Sequence, residues 1–188
     1  MSRYTETLIM RAFSEMLDEM PLDKITVSAL TRRSDISHNT FYYHYNDIYD
    51  LLEVWIRMEI APYLDRDGEY PDWESGIAAM LKAWKRDERR IYHVFHSLSR
   101  EQMERHVFEQ TEYFFHDLVR SLPDAGDSLP EPQLQRISEF ACYIFLGFLM
   151  RFLWNKMRGD IDQSVHELSV LLSSFLHHAI ADARSGKL

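Results

Sequence analysis

Residues that end helices are scarce in this chain, and this constrains the fold more than any other feature of the sequence. The 188 residues include only six glycines and six prolines, the two residue types least compatible with a helix interior. Most of them fall in four short stretches, 20–24, 65–72, 123–132 and 158–162. Between these breaks apolar residues recur at helical spacing, most clearly over 4–19. The sequence therefore predicts an all-α fold of about nine helices.

Composition indicates a folded, cytoplasmic protein. Hydrophobic residues make up 46% of the chain and charged residues 27%, which is typical of a globular protein and not of a disordered segment. The single cysteine, Cys142, allows no internal disulfide, which suits a reducing compartment. The N-terminal stretch "MSRYTETLIMRAF" lacks the apolar core of a secretion signal. The longest apolar run, Phe140 to Met150, is too short to span a bilayer, so we expect no membrane partner.

Acidic residues are nearly absent from one segment of this acidic chain. The formal net charge is −9, a balance that argues against nucleic-acid binding if it is spread evenly. Within residues 26–45, however, the fixed charges are Arg32, Arg33 and Asp35, and His38 and His44 can add to them. This segment is therefore compatible with a phosphate backbone, although the chain as a whole is acidic.

The same segment is predicted to form two short helices joined by a tight turn. Thr26 precedes "VSALTRRS" and Ser37 precedes "HNTFYYHY", and a hydroxyl at either place can accept a hydrogen bond from an orphan N–H of the first helical turn. Asn46 or Asp47 is then placed to begin a longer helix. Two short helices with a tight turn make a helix-turn-helix, whose second helix enters the DNA major groove.

The aromatic run "FYYHY" (41–45) is explained by the two faces of that second helix. Phe41 and Tyr45 lie four residues apart and are expected to pack inward. The other residues of the helix then fall on or beside the outward face, where hydroxyl and imidazole groups can reach phosphates and base edges. They are Thr40, Tyr42, Tyr43 and His44. From the pattern alone, the alternative is a helical hairpin buried in a larger bundle.

The stretch "ITVSALTRRSDISHNTFYYHYNDIYDLLEVW" (25–55) resembles the N-terminal domain of tetracycline-repressor (TetR) family regulators. With the first helix included, the resemblance covers about residues 4–55. The residues that fall on or near the family's fixed positions, without a gap, are Thr26, Leu30, Ser34, Ile36, Ser37, Thr40, Phe41, Tyr42, His44, Tyr45 and Leu51. The stretches "FYYHYNDIYDLL" and "GFLMRFLWNKMRGDI" are most similar to family members that regulate dihydroxyacetone kinase genes.

The resemblance implies a helix-turn-helix domain over 1–47 and a helical regulatory and dimerisation domain over 48–188. It implies phosphate contacts from Thr26, Tyr42 and His44. Residues implied to lie nearest the bases are Ser28, His38, Asn39, Thr40 and Tyr43. Arg32 and Ser37 complete the predicted set of DNA-binding residues.

Three positions depart from the family pattern. Asp35 stands where the turn usually has a glycine, at a position that often needs a positive φ. Asn39 replaces a second glycine and can add a base contact through its amide. Ile48 replaces a lysine that usually binds a phosphate, so we expect few neutralised phosphates and a shallow salt dependence.

The regulatory domain is expected to hold an effector site. Aromatic residues are dense over 73–122, and the family architecture implies a mostly apolar cavity there with a few polar groups. The predicted ligand-binding residues are Trp84, His93, His96, Tyr113, His116 and Met150. A filled core, or a protein partner in place of a small molecule, are the alternatives. The spacings His93-x-x-His96 and Glu112-x-x-x-His116 are common on solvated helix faces, so no metal site and no cofactor are predicted.

Two long helices, 133–158 and 163–184 with a break at Gly159, end the chain. From Phe140 to Trp154 the first is apolar nearly all round, so it must be covered on all sides. The family's solution is a homodimer, and the alternative is that the monomer covers both sides itself. The predicted interface residues are Phe145, Phe148, Phe152, Leu168, Leu172 and Phe175.

The sequence bears on three classes of function. The favoured one is a homodimeric transcriptional regulator, most simply a repressor, that binds a palindromic double-stranded DNA operator and responds to a small molecule or a protein partner. An enzyme is disfavoured, because the sequence has no nucleophile elbow, phosphate-binding glycine loop or paired-carboxylate motif. The third is a partner-dependent co-regulator with weak DNA binding of its own.

Overall fold

The computed structural model describes residues 2–64, 72–122, 125 and 129–188, and all regular structure in these residues is helical, as predicted. The helices are α1 (Ser2–Glu19), α2 (Val27–Ser34), α3 (His38–His44), α4 (Ile48–Leu64), α5 (Trp73–Arg86), α6 (Glu88–Phe95), α7 (Arg100–Ser121), α8 (Glu131–Trp154) and α9 (Ile161–Arg184). A short 3-10 helix, Leu22–Lys24, lies between α1 and α2. The predicted break at 65–72 lies outside the described residues except for Asp72, as does half of the predicted break at 123–132.

The chain forms two compact units that do not coincide with a single cut in the sequence. The N-terminal unit comprises residues 1–61 and 83–103, and the C-terminal unit comprises 62–82 and 104–188. The division into functional domains at residue 47 stays a prediction.

The N-terminal unit is built on α1, which packs against both α2 and α6. Its core is filled by large side chains that lose nearly all contact with solvent, including Phe13, Leu30 and Leu51. The Trp55 ring meets Phe13 edge-on, with centroids 6.4 Å apart, and its Nε1 donates a hydrogen bond of 3.0 Å to Ser14 Oγ. The buried indole therefore has its polar group satisfied while it contributes apolar area.

Helix α6 is tied to the end of α1 by polar contacts. Arg90 donates two hydrogen bonds of 2.7 Å to the two carboxylate oxygens of Asp18, and this guanidinium lowers the pKa of Asp18 below its usual value. His93 Nδ1 donates to the Leu17 carbonyl oxygen at 2.6 Å. Paired hydrogen bonds fix direction as well as distance, so α6 is held in one register on α1.

The C-terminal unit has α8 at its centre, paired with α9. The buried rings of Phe115 and Phe145 meet with centroids 5.5 Å apart, and Leu172 of α9 is fully buried. Cys142, also on α8, is 1% exposed, and burial raises the pKa of its thiol to about 12. Lys82 Nζ binds Asp162 at 2.5 Å and thereby ties the end of α5 to the start of α9.

Helix α8 is longer than the apolar run that marks it in the sequence. By length and composition it could cross a bilayer, with a mean hydropathy of 1.5 over its most apolar 18-residue window. Half of that window is buried inside the protein. The central helix of a water-soluble bundle has the same properties, because it is covered on several sides by its own chain.

The predicted end of α8 near residue 158 is wrong, and the helix stops at Trp154. Lys156 and Met157 adopt positive φ angles of 56° and 51°. The Met157 N–H donates to the Phe152 carbonyl and the Lys156 N–H to the Leu153 carbonyl, both at 2.9 Å. This Schellman arrangement satisfies the last helical carbonyls and buries the Met157 side chain completely. Lys156 therefore takes the place after the helix that was expected of Gly159.

Replacing Lys156 by glycine should stabilise the protein. A left-handed φ strains a residue with a Cβ and not a glycine, so Lys156→Gly should raise the free energy of unfolding by about 0.5–1 kcal/mol. Urea unfolding of both proteins, followed by circular dichroism, measures the change. Arg158→Gly is the matched control, because Arg158 is equally exposed but has no positive φ. A Lys156→Gly variant no more stable than this control would contradict the interpretation.

Candidate nucleic-acid interface

Helices α2 and α3 begin with the caps expected from the sequence. Thr26 Oγ1 accepts a hydrogen bond from the Ala29 N–H at 3.2 Å, and Ser37 Oγ accepts one from the Thr40 N–H at 3.0 Å. Each bond satisfies a donor that has no partner within its own helix. Asp47 does the same for α4, because its Oδ1 accepts hydrogen bonds from the N–H groups of Tyr49 and Asp50.

The turn between α2 and α3 depends on Asp35. Its φ of 52° and ψ of 47° are left-handed, as predicted for the position that usually carries glycine. The next N–H, that of Ile36, donates to the Thr31 carbonyl at 3.0 Å and closes the end of α2. The side chain of Ser34 is buried and donates to the Leu30 carbonyl at 2.8 Å. The turn is thus made with an aspartate in place of a glycine.

The two faces of α3 are as predicted for its central residues. Phe41 is fully buried and Tyr45 nearly so, with ring centroids 5.8 Å apart. Tyr42 and Tyr43 are 56% and 81% exposed. An exposed tyrosine leaves the apolar surface of its ring in water, without packing in the core. Two such tyrosines on one short helix indicate a surface available for binding.

The exposed side of this motif carries side chains that can donate and accept hydrogen bonds. Ser28 Oγ and His38 Nε2 lie 3.0 Å apart and connect α2 to α3, while Ser37 Oγ and Thr40 Oγ1 lie 2.8 Å apart. The remaining exposed members of the predicted set are Thr26, Arg32 and Asn39. The fold therefore brings nine of the ten predicted DNA-binding residues to α2, α3 and their caps on accessible positions.

His44 is the exception, and its predicted outward position is wrong. Its side chain is only 7% exposed, and its Nδ1 lies 3.3 Å from Glu6 Oε1 of α1. The ring sits in the last turn of α3, where it contacts Tyr43 and Tyr45. The helix periodicity places it beside the outward face, but the carboxylate of α1 draws it inward.

The two arginines of residues 26–45 lie in different environments. Arg33 is bound to α1 through both Glu19 oxygens, at 2.8 and 2.5 Å, and this pairing lowers the pKa of Glu19. Arg32 is exposed. Ile48, which replaces the family's lysine, is buried at the start of α4. That position contributes packing to the N-terminal unit.

The six predicted ligand-binding residues are not brought together in either unit. Trp84, His93 and His96 belong to the N-terminal unit, and Tyr113, His116 and Met150 to the C-terminal unit. The side chain of Tyr113 is 81% exposed, whereas a residue that lines an enclosed cavity is mostly shielded from solvent. His116 Nε2 lies 2.9 Å from Glu131 Oε1, and His93 is occupied by the Leu17 carbonyl. These polar groups fix helices to one another within their own units.

A cavity of about 400 Å³ lies between α1 and α4 and was not predicted from the sequence. Its lining residues, all in the N-terminal unit, are Glu6, Thr7, Met10, Arg11, Ser14, Tyr45, Val54, Trp55, Met58 and Glu59. Apart from Tyr45 at the end of α3, they recur at helical spacing on α1 and α4. The mixture of carboxylates and methionines within one stripe was the available signal.

Four of the six predicted dimer-interface residues face the chain's own core. Phe145, Phe152, Leu168 and Leu172 are buried without a partner chain, so the prediction is wrong for them. Phe148 and Phe175 are half-buried. The large apolar side chains that α8 and α9 expose are instead Phe140, Tyr143, Trp154, Val170 and Leu171. Because α8 is apolar nearly all round, the sequence did not reveal which of its sides faces outward.

Comparisons with known proteins agree with this architecture. Residues 71–174 match the TetR_C_8 family model, described as a transcriptional regulator C-terminal region. Two solved structures share the fold. The dihydroxyacetone kinase operon activator DhaS is 16% identical, with 96% of each chain covered and a TM-score of 0.54. The TetR family repressor AlkX from Dietzia sp. strain DQ12-45-1b, implicated in biodegradation of n-alkanes, is 15% identical, with 92% of this chain and 97% of that chain covered and a TM-score of 0.55. No curated protein sequence matches significantly.

Opposite faces of α3 should respond differently to truncation. Phe41→Ala removes a fully buried ring and should lower the free energy of unfolding by about 3–5 kcal/mol. Tyr43→Ala removes an exposed ring and should change it by no more than about 0.5 kcal/mol. Urea unfolding measures both. Similar losses for the two variants would mean that Tyr43 is part of the core and that α3 presents a different face.

Proposed function

The chain belongs to the TetR family of transcriptional regulators, and from this premise we propose that it acts as a homodimer that binds a palindromic DNA operator through α2 and α3. The observation that carries the proposal is the arrangement of α3. Its Phe41 anchor is buried, while its tyrosines and the Ser28–His38 pair are exposed. In a helix-turn-helix, the second helix enters the major groove with such a face toward the bases.

The exposed groups suit the two tasks of operator binding. Phosphate oxygens accept hydrogen bonds, and the hydroxyls of Thr26 and Tyr42 together with the Arg32 guanidinium can donate them. Base edges in the major groove require groups that both donate and accept, which Asn39 and His38 supply. His44 is left out of this surface because it faces Glu6. We assign it to positioning α3.

The proposed dimer contact uses the exposed apolar residues of α8 and α9. Phe140, Tyr143 and Trp154 follow one another along α8, and Val170 and Leu171 lie on α9. Apart from Gly147's chain neighbours and the backbone of α8 itself, no described atom lies within 4 Å of the position that a Cβ would occupy at Gly147, so another helix can approach α8 closely there. Two copies joined through such a surface would present two α3 helices to two half-sites.

Control by an effector completes the proposal. A small molecule or a protein partner would release a repressor from its operator only if it binds the DNA-competent and DNA-incompetent forms with unequal affinity. We place the protein in the cytoplasm with its operator and propose repression as the simplest mode. A reporter gene behind the selected operator distinguishes repression from activation by the sign of its response.

Selection of bound duplexes from a random library should enrich a palindrome. As the salt concentration rises, the association constant K of the wild-type protein for the selected duplex should fall. The slope of log K against the logarithm of the salt concentration should be about −2 to −4 per subunit, because few cations face the groove. Tyr42→Ala should weaken binding to the selected duplex. Tyr113→Ala, which removes another exposed tyrosine ring, on α7 and outside the proposed DNA surface, is the control. A much steeper slope would mean more phosphate contacts than α2 and α3 provide.

Failure to enrich any sequence would favour the alternative of a partner-dependent co-regulator. The burial of Ile48 supports that alternative, since the family's phosphate-binding lysine is missing from this position. A well-folded dimer that shows no sequence preference at low or at physiological salt would indicate that the protein is a partner-dependent co-regulator.

A charge on α9 should separate the two subunits. Leu171→Glu places a carboxylate in the proposed apolar contact and should weaken dimerisation by about 30-fold or more. Sedimentation velocity over a concentration series gives the dimer dissociation constant. Tyr113→Glu makes the same kind of change outside α8 and α9 and should leave it unchanged. A wild-type chain that sediments as a monomer, or an unaffected Leu171→Glu dimer, would overturn the assignment.

A further inference from the structure

A hydrogen-bonded pair of side chains connects the two helices that are proposed to meet DNA. Ser28 is the second residue of α2, and its Oγ lies 3.0 Å from Nε2 of His38, the first residue of α3. Both residues are exposed. The His38 ring makes no other hydrogen bond to a residue that the structure describes. Its second nitrogen, Nδ1, therefore remains available to a ligand on this surface.

The backbone fixes the positions of both side chains. Thr26 Oγ1 accepts a hydrogen bond of 3.2 Å from the first turn of α2, and Ser37 Oγ accepts one of 3.0 Å from the first turn of α3. Between the two helices, the left-handed backbone of Asp35 makes the turn. Each cap lies within two residues of the side chain that it supports. The contact between Ser28 and His38 thus joins two well-defined helix starts.

This contact bears on which nitrogen of His38 carries the proton. In a neutral imidazole one ring nitrogen donates a hydrogen bond and the other accepts. An imidazole lone pair is a stronger acceptor than a hydroxyl oxygen, so the pair is best satisfied when the Ser28 hydroxyl donates to Nε2. The proton of the neutral ring is then on Nδ1. In the protonated ring both nitrogens donate, and the hydroxyl rotates to accept from Nε2. Nδ1 is a donor in both states.

We propose that Ser28 is a positioning residue that sets the tautomer of His38, and that the His38 Nδ1–H reads a guanine of the operator. The proposal rests on the proposed binding of an operator by α2 and α3. In the major groove guanine presents two acceptors, N7 and O6, whereas adenine and thymine each present one and cytosine presents an amino donor. A nitrogen that only donates therefore favours guanine and disfavours cytosine.

Without the Ser28 hydroxyl this preference should be lost. A neutral imidazole in water carries its proton mainly on Nε2, and a hydrogen bond to one ring nitrogen is what selects the other tautomer in a protein. In Ser28→Ala the Nδ1 atom of His38 would become an acceptor, which the amino groups of cytosine and adenine can also satisfy. Ser28→Thr keeps a hydroxyl at the same place and should keep the preference.

Nitrogen-15 NMR of the histidine rings in the full-length protein tests the tautomer without DNA. At about pH 8, where histidine side chains are mostly neutral, wild-type His38 should carry its proton on Nδ1. Ser28→Ala should move the proton to Nε2, and Ser28→Thr should not. The His38 signals are assigned by their absence from the His38→Gln spectrum. A wild-type ring protonated on Nε2, or a tautomer that Ser28→Ala leaves unchanged, would overturn the proposal.

Selection of duplexes with the wild type and its variants tests the reading of a base. The wild type should enrich a guanine at one position of each half-site, and Ser28→Ala and His38→Ala should both lose the preference at that position only. On the duplex that the wild type selects, each single variant should bind about five- to tenfold more weakly, and the double variant no more weakly than His38→Ala. Ser121→Ala, which removes an exposed hydroxyl on α7, is the control. Losses that multiply in the double variant would mean that Ser28 binds DNA by itself.

Failure of this proposal is distinguishable from failure of operator binding. A wild type that enriches no palindrome would contradict operator binding and the reading of guanine with it, while the NMR spectrum would still decide whether Ser28 sets the tautomer. A palindrome whose bases are equally preferred by the wild type and by Ser28→Ala would leave operator binding intact and overturn the role of Ser28. Because Ser28 and His38 are exposed, their variants should fold as the wild type does, which circular dichroism checks.

Discussion

The burial of Phe41 is the constraint on which the proposed reading surface depends. Helix α3 has seven residues, far too few to be stable alone in water. It exists because one ring in the middle of it is inserted completely into the core of the N-terminal unit. Once that ring is fixed, the helix periodicity leaves Tyr42 and Tyr43 on the outside. The rotation of α3, and with it the set of groups offered to a ligand, follows from one hydrophobic contact.

Ion pairs in the N-terminal unit balance part of the negative charge at the end of α1. The carboxylates at the end of α1 are paired with arginines from other helices, Glu19 with Arg33 and Asp18 with Arg90. Both pairs are partly solvated, so their main effect is on geometry and local potential and less on stability. Helices α2 and α6 are positioned by these pairs. Negative charge of α1 is thereby compensated next to the segment that would meet phosphates.

Local features of this fold were readable from the sequence, whereas the choice between sides of an apolar helix was not. The caps at Thr26 and Ser37 and the left-handed Asp35 are set by backbone hydrogen bonding within a few residues, which a short stretch of sequence specifies. The inward rotation of His44 depends on Glu6, 38 positions earlier in the chain. On α8, Phe145 and Phe140 have the same chemistry, and only packing against Phe115 decides that Phe145 is inside. The α1–α4 cavity was missed for the same reason, since two stripes meet there that are separated by some 40 residues.

The deep burial of Cys142 has a consequence for chemical reactivity. Burial raises the pKa of its thiol to about 12, so the thiol stays protonated at neutral pH, and the thiolate is the form that oxidants and electrophiles attack. This is the chain's single sulfhydryl. The folded protein therefore has no cysteine through which peroxide or an alkylating agent could signal, and its sulfur chemistry is confined to its methionines.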